Sequence, residues 1–222
     1  MSEPKIYGTA PADVGLLELS PTEMLFWLYC PIKLPDSDEV IVPDNLKQFW
    51  PIIEACMEDC GSERWRRDFV YLTAKNVFTT PDNTAQRPGW HCDGFMTDDL
   101  NYIWADREPT LFWTPPALVA LPQSHSDSLS EMTNFTSLYP QYERTYPLKQ
   151  LLRLDQTVIH RVADFWASGM RAFVKLSVSR HPFNLIGNSI NHQLTPDWHY
   201  ANRSAERNPE VARQADHIEA SK

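Results

Sequence analysis

The chain has 222 residues and a net charge of −9, with 42% hydrophobic and 22% charged side chains. That apolar content suffices for a sizeable core and excludes wholesale disorder, and the length fits one domain with decorations. So acidic a chain has no general basic surface with which to displace counterions from duplex nucleic acid, so no duplex partner is expected. The 7 glycines never fall as Gly-x-Gly, and neither a phosphate-cradling loop nor a Gly-x-Ser-x-Gly elbow is present. No apolar run approaches the roughly 18 residues of a membrane span, so no membrane partner is expected. The opening segment lacks the basic and apolar regions of a secretory signal. Cys30, Cys56, Cys60 and Cys92 form no Cys-x-x-Cys pair and read as reduced thiols of a cytoplasmic protein.

The 18 prolines argue against a helix-dominated fold, because each removes a helix hydrogen bond. Residues 1–43 are proline-punctuated around a short apolar stretch, Leu25–Tyr29. Asp44 to Gly61 is expected as one helix, with Asp44 as N-cap and Gly61 at the left-handed C′ position. Its apolar stripe is Leu46, Phe49, Ile53, Met57 and Cys60. Strand patterns follow: Asp68–Thr80, Asn101–Ala105, Thr110–Thr114, Ala117–Leu121, Leu148–Val162 and Met170–Ser179. Short strands with turn signals between them point to a mainly β antiparallel sandwich or barrel with flanking helices. Arg203–Lys222 is polar and reads as a surface helix or a tail.

The sharpest feature is Trp90-His91-Cys92-Asp93-Gly94. On an extended segment His91 and Asp93 point to one face and Cys92 to the other, the first two about 7 Å apart along the strand. His160, 69 residues later, ends the extended-looking Leu154–His160 and is the candidate third ligand. Two histidines and a carboxylate on one face leave coordination positions open, which suits non-haem Fe(II). Arg171 follows 11 residues on and opens a strand whose polar face carries Arg171, Phe173, Lys175, Ser177 and Ser179. A cation there calls for an anionic partner such as a dicarboxylate. A rival His-x-Asp, His125 and Asp127, sits in a serine-rich stretch that reads as a loop leading into a helix cap.

His-x-Asp, a distal His and then an Arg resemble the 2-oxoglutarate/Fe(II)-dependent dioxygenase superfamily over about residues 67–180. That resemblance implies a double-stranded β-helix, a jelly-roll or cupin-like barrel. It implies His91, Asp93 and His160 as iron ligands and catalytic centre. It implies Arg171 as anchor of the far carboxylate of 2-oxoglutarate. Members often carry a Ser two residues after the Arg; here Phe173 stands there, so the hydroxyl would come from Tyr102 or Ser177, and Lys175 is the substitute anchor. Asn101 and Tyr102, on a neighbouring strand, are the further cosubstrate contacts. The implied reaction is hydroxylation of a small molecule, free nucleotide or peptide, with release of succinate and CO2. Two other readings stand beside it: a cupin-like metalloenzyme that does not use 2-oxoglutarate, and a non-catalytic β-sandwich interaction module. The expected organisation is one domain over residues 1–202, with a helical N-terminal decoration over 1–61 and the polar segment 203–222 outside it.

Overall fold

The computed structural model describes residues 5–202. Segment 203–222, expected as a tail or surface helix, lies outside the described residues. The strands are β1 (Ile6–Tyr7), β2 (Ala12–Leu16), β3 (Leu25–Lys33), β4 (Phe69–Thr79), β5 (Leu100–Ala105), β6 (Thr110–Trp113), β7 (Val119–Ala120), β8 (Glu143–Arg144), β9 (Gln150–Leu154), β10 (His160–Val162) and β11 (Gly169–Ser179). The α-helices are α1 (Trp50–Cys60), α2 (Ser62–Arg67) and α3 (His125–Leu138). The fold is therefore mainly β with flanking helices, as composition and pattern suggested. Among the described residues no helix is long and apolar enough to cross a membrane.

Six strands form a large antiparallel sheet in the order β2-β9-β5-β11-β4-β3, and three form a smaller one, β10-β6-β8. β1 pairs with β7 separately. From β4 onward the chain passes repeatedly between the two main sheets. β4, β5, β9 and β11 belong to the large one; β6, β8 and β10 belong to the small one.

The period of two along the central strands decides what each face does. Val70, Leu72 and Ala74 of β4 and Ala172, Val174, Leu176 and Val178 of β11 are buried under α1 and α2, with Leu46, Phe49, Ile52, Ile53, Cys56 and Trp65. Each such Leu, Ile or Val contributes about 1.5–3 kcal/mol by leaving water, so this face carries much of the stability. The opposite face, toward the small sheet, is left to carry Thr73, Lys75, Phe173 and Lys175.

Three expectations need correction. The single helix over 44–61 is a 3-10 turn, Asp44–Phe49, followed by α1, because Pro51 fits only the first turn of an α-helix. Asp44 is therefore no cap; it lies in that turn and pairs with Lys47 at 2.6 Å. The break shifts the buried stripe to Leu46, Phe49, Ile52, Ile53 and Cys56, leaving Met57 exposed and Cys60 half-buried. Gly61 does end the helix at positive φ (+81°).

Secondly, the segment before residue 44 is not a helical decoration: β2 and β3 are the edges of the large sheet. Pro31 is tolerated in β3 because that strand is an edge with irregular register on either side of Cys30 and Pro31. Thirdly, Leu148–Val162 is two strands. Asp155 Oδ1 accepts from Thr157 N at 2.8 Å, and this Asx turn carries the chain from β9 in one sheet to β10 in the other.

Lys33 closes the junction of β3 and α2. Fully buried, it donates from Nζ to the carbonyls of Leu34, Arg66 and Asp68 at 2.8, 3.0 and 2.9 Å. Burial pushes its ammonium down to about 8 against the pull of Asp68. Lys33→Met keeps the volume and removes these three hydrogen bonds. It is expected to cost about 3 kcal/mol, read as a lower urea midpoint at an unchanged m-value.

Candidate metal centre

Two backbone hydrogen bonds assemble the site. His91 N donates to His160 O at 3.0 Å and His160 N donates to His91 O at 2.9 Å. This isolated antiparallel bridge joins the segment after β4 to the start of β10. Trp90–Gly94 is thus not the extended strand expected, but the alternation around His91 holds. The His91 and Asp93 side chains join the candidate metal-holding group, while the buried Cys92 packs in the apolar cluster with Trp90 and Met132, its Sγ 3.8 Å from Met132 Sδ. After Asp93 the chain turns at Gly94, φ +66°. A Cβ there would stand 2.9 Å from both Asp99 Cβ and Thr97 Oγ1, so only glycine fits without displacement. Thr97 fastens this turn, donating from N and Oγ1 to the Gly94 carbonyl at 2.9 and 2.8 Å.

One donor atom each from His91, Asp93 and His160 lie within 4.8 Å of one another. Both imidazoles are oriented by carbonyls: His91 Nδ1 lies 2.9 Å from Gly89 O, and His160 Nδ1 lies 3.0 Å from Val158 O. Nδ1–H donation of this kind leaves each Nε2 lone pair for an ion. Burial first, then the neighbouring His160, push His91 down to about 3, so it stays neutral as a ligand must. Burial tends to raise the Asp93 pKa, but Lys175, His160 and His91 outweigh it and hold the carboxyl well below the usual carboxylate range. Lys175 Nζ donates to Asp93 Oδ2 at 3.0 Å and to the Tyr29 hydroxyl at 3.3 Å. Burial disfavours the Lys175 charge, yet Asp93 and Tyr29 raise its pKa overall. Adjacent N and O ligands held about 2.1 Å from an ion stand about 3 Å apart. The observed set is wider, with His160 Nε2 at 3.7 Å from Asp93 Oδ2 and all three donors within 4.8 Å of one another.

The group opens into a cavity of about 610 Å³. Its floor is the polar face of the large sheet, with Thr73 and Lys75 of β4, Phe173 and Lys175 of β11, and Asn101 and Ile103 of β5. Tyr29 and Phe183 wall it, meeting edge to face at 5.3 Å. The Tyr71 ring stacks on Phe183 at 4.2 Å. Its hydroxyl donates to His181 O and accepts from Phe183 N, both at 3.0 Å, which fastens the segment after β11 over the cavity.

Of the cosubstrate contacts expected from sequence, Asn101, Arg171 and Lys175 line the cavity. Asn101 Oδ1 accepts from Ser177 Oγ at 2.6 Å. Arg171 donates from Nε and Nη2 to the carbonyls of Arg107 and Glu108, both at 2.9 Å. Its guanidinium stacks over Phe165 and Phe173 at 5.3 and 5.2 Å. Tyr102 is a correction. It follows Asn101 on β5, so it points to the opposite face, into the core, where its hydroxyl donates to Asp59 Oδ2 at 2.7 Å. It supplies nothing to the cavity. His125 begins α3 on the cavity wall, 5.9 Å from Phe95 between ring centroids, and takes no part in the His91–Asp93–His160 group.

Sequence reading missed Lys75 and Tyr29. Lys75 was accessible to it, since the alternation Tyr71, Thr73, Lys75 on β4 mirrors the one noticed on β11. Tyr29 was not: its positive φ (+49°) at an irregularity of β3 aims its ring, and no residue pattern announces that. No protein-family model matches this chain, and no curated protein matches it.

Replacing His91, Asp93 or His160 by Ala is expected to weaken Mn(II) binding more than the roughly 10–100-fold typical of losing an outer-shell partner. His125→Ala should leave the affinity within about threefold, read by chelator competition. Tyr102→Phe should leave metal affinity unchanged and cost about 1.5 kcal/mol of stability, because Asp59 loses a donor.

Proposed function

We propose that the chain is a non-haem Fe(II) and 2-oxoglutarate-dependent dioxygenase that hydroxylates a small molecule, nucleotide or peptide, built on a double-stranded β-helix. The observation that carries this reading is the His91–Asp93–His160 group, held by carbonyls and opening into a cavity whose floor bears cations. The repeated passage of β4 to β11 between two antiparallel sheets supports the barrel assignment. Two imidazoles and one carboxylate suit Fe(II) and leave positions for further ligands. Four free cysteines support a reducing, cytoplasmic setting.

When bound, Fe(II) with 2-oxoglutarate and O2 supplies the oxidation, releasing succinate and CO2. The chain's own residues do the rest. Gly89 and Val158 fix the two imidazoles through their carbonyls. Lys175 holds Asp93 in one orientation, so the carboxylate is preorganised rather than solvated. Lys175 and Arg171 supply positive charge for the 2-oxoglutarate carboxylates. Tyr29 and Phe183 shield the site from water.

One observation favours a second reading, a metalloenzyme that does not use 2-oxoglutarate. Both cations expected as anchors already have partners, Arg171 on two carbonyls and Lys175 on Asp93. Anaerobic addition of 2-oxoglutarate to the Fe(II)-loaded protein separates the two. The dioxygenase reading expects a weak visible charge-transfer band, absent in His91→Ala. Bound iron without a band supports the second reading; failure to bind iron overturns both.

A further inference from the structure

Lys75 is the cation on the cavity's sheet floor that neither reading uses. It lies on β4 directly opposite Phe173, one diagonal step from Arg171 and one from Lys175. Diagonal neighbours on an antiparallel pair are about 7–8 Å apart, so the three cations form one cluster. The Lys75 side chain is only 9% exposed. Its Nζ donates to one neutral acceptor, Ala85 O, at 2.8 Å and lies 5.1 Å from the centre of the Phe26 ring. Among the described residues no carboxylate pairs with it. Burial first, then Lys175 and Arg171, push its ammonium down to about 8. A buried ammonium has three N–H groups to satisfy, and leaving it without an anion is costly.

Position and charge both indicate what this anion is. Lys175 and Arg171 stand on the central strand β11, whereas Lys75 stands one strand nearer the sheet edge. Phe26, beside its ammonium on the edge strand β3, is 55% exposed, so Lys75 stands near the outer edge of the sheet. A divalent ion would add two positive charges to the three cations, and a 2-oxoglutarate dianion would remove only two. Asp93 is bonded to Lys175, and Asp106 and Glu108 act on Arg171, but among the described residues no carboxylate offsets the charge of Lys75.

We propose that the substrate of this cavity is an anion, a carboxylate or phosphate, and that Lys75 is the residue that binds its charged group. This rests on reading His91, Asp93 and His160 as the metal centre, because that reading assigns the ligand at Lys75 the role of substrate. Phe173 lies between Lys75 and Arg171 and, with Tyr29 and Phe183, gives the anion's carbon skeleton aromatic surfaces. Charge-assisted hydrogen bonds from ammonium to anionic oxygen supply the affinity.

The test is ligand-observed NMR titration of the anaerobic Fe(II)-loaded protein with benzoate, phenyl phosphate and neutral benzamide, each with and without saturating 2-oxoglutarate. The expected result is binding of at least one anion in preference to benzamide, retained when 2-oxoglutarate is present. Lys75→Met should weaken that binding about tenfold or more, and Lys75→Arg should restore it to within about threefold. The choice between benzoate and phenyl phosphate tells carboxylate from phosphate. Competition between 2-oxoglutarate and the anion, with both lost in Lys75→Met, would make Lys75 a cosubstrate anchor and overturn the proposal. Equal binding of benzamide, or an unaffected Lys75→Met, would also overturn it. Anion binding that depends on Lys75 in a protein giving no charge-transfer band would retain the anion site while removing the dioxygenase reading.

Discussion

The reciprocal pair of backbone hydrogen bonds between His91 and His160 is the constraint on which the site depends. Neither histidine lies within a long strand: one follows the loop after β4 and the other begins β10. The bridge sets the spacing of their Cα atoms, and the carbonyls of Gly89 and Val158 then set the rotation of each ring. A metal site needs tolerances of a few tenths of an ångström, which freely rotating side chains on loops do not provide. Here the backbone provides them, and Asp93 is left as the donor positioned by a side-chain partner, Lys175.

The division of labour between the two faces of the large sheet makes this affordable. The face beneath α1 and α2 is almost wholly apolar and carries the burial energy. The other face bears three cations and a hydroxyl and amide pair, all costly to desolvate. Such a face is tolerable only when stability comes from elsewhere and when ligands complete the polar groups. Strand alternation delivers both from the same residues, because neighbours on β11 serve opposite purposes.

Much of the candidate site was legible in the sequence because its information is local. His91-x-Asp93 and the polar face of Met170–Ser179 are periodicity-two patterns, and they survive the discovery that Trp90–Gly94 is a single bridge followed by a turn. Tyr102 was misplaced although the same rule, applied from Asn101, sends it into the core. The edge strands β2 and β3 were illegible for a different reason. Proline and glycine within them read as loop signals, and only pairing with β9 and β4 makes them strands. The break in Leu148–Val162 was written in Asp155-Gln156-Thr157, but a three-residue turn is easily hidden between two apolar runs. Lys33, sealed by three carbonyls that lie next to it or 33 and 35 residues away, has no local signature at all.

The Tyr71 hydroxyl, which grips the segment after β11 at both His181 O and Phe183 N, holds that segment independently of the bridge between the two histidines. The candidate ligand atoms stand where the two sheets are bridged, while the segment over the cavity is hung from Tyr71, near the start of β4. Residues of this segment can therefore be exchanged without moving a candidate ligand atom. The shape of the cavity is thus adjustable independently of the His91–Asp93–His160 group.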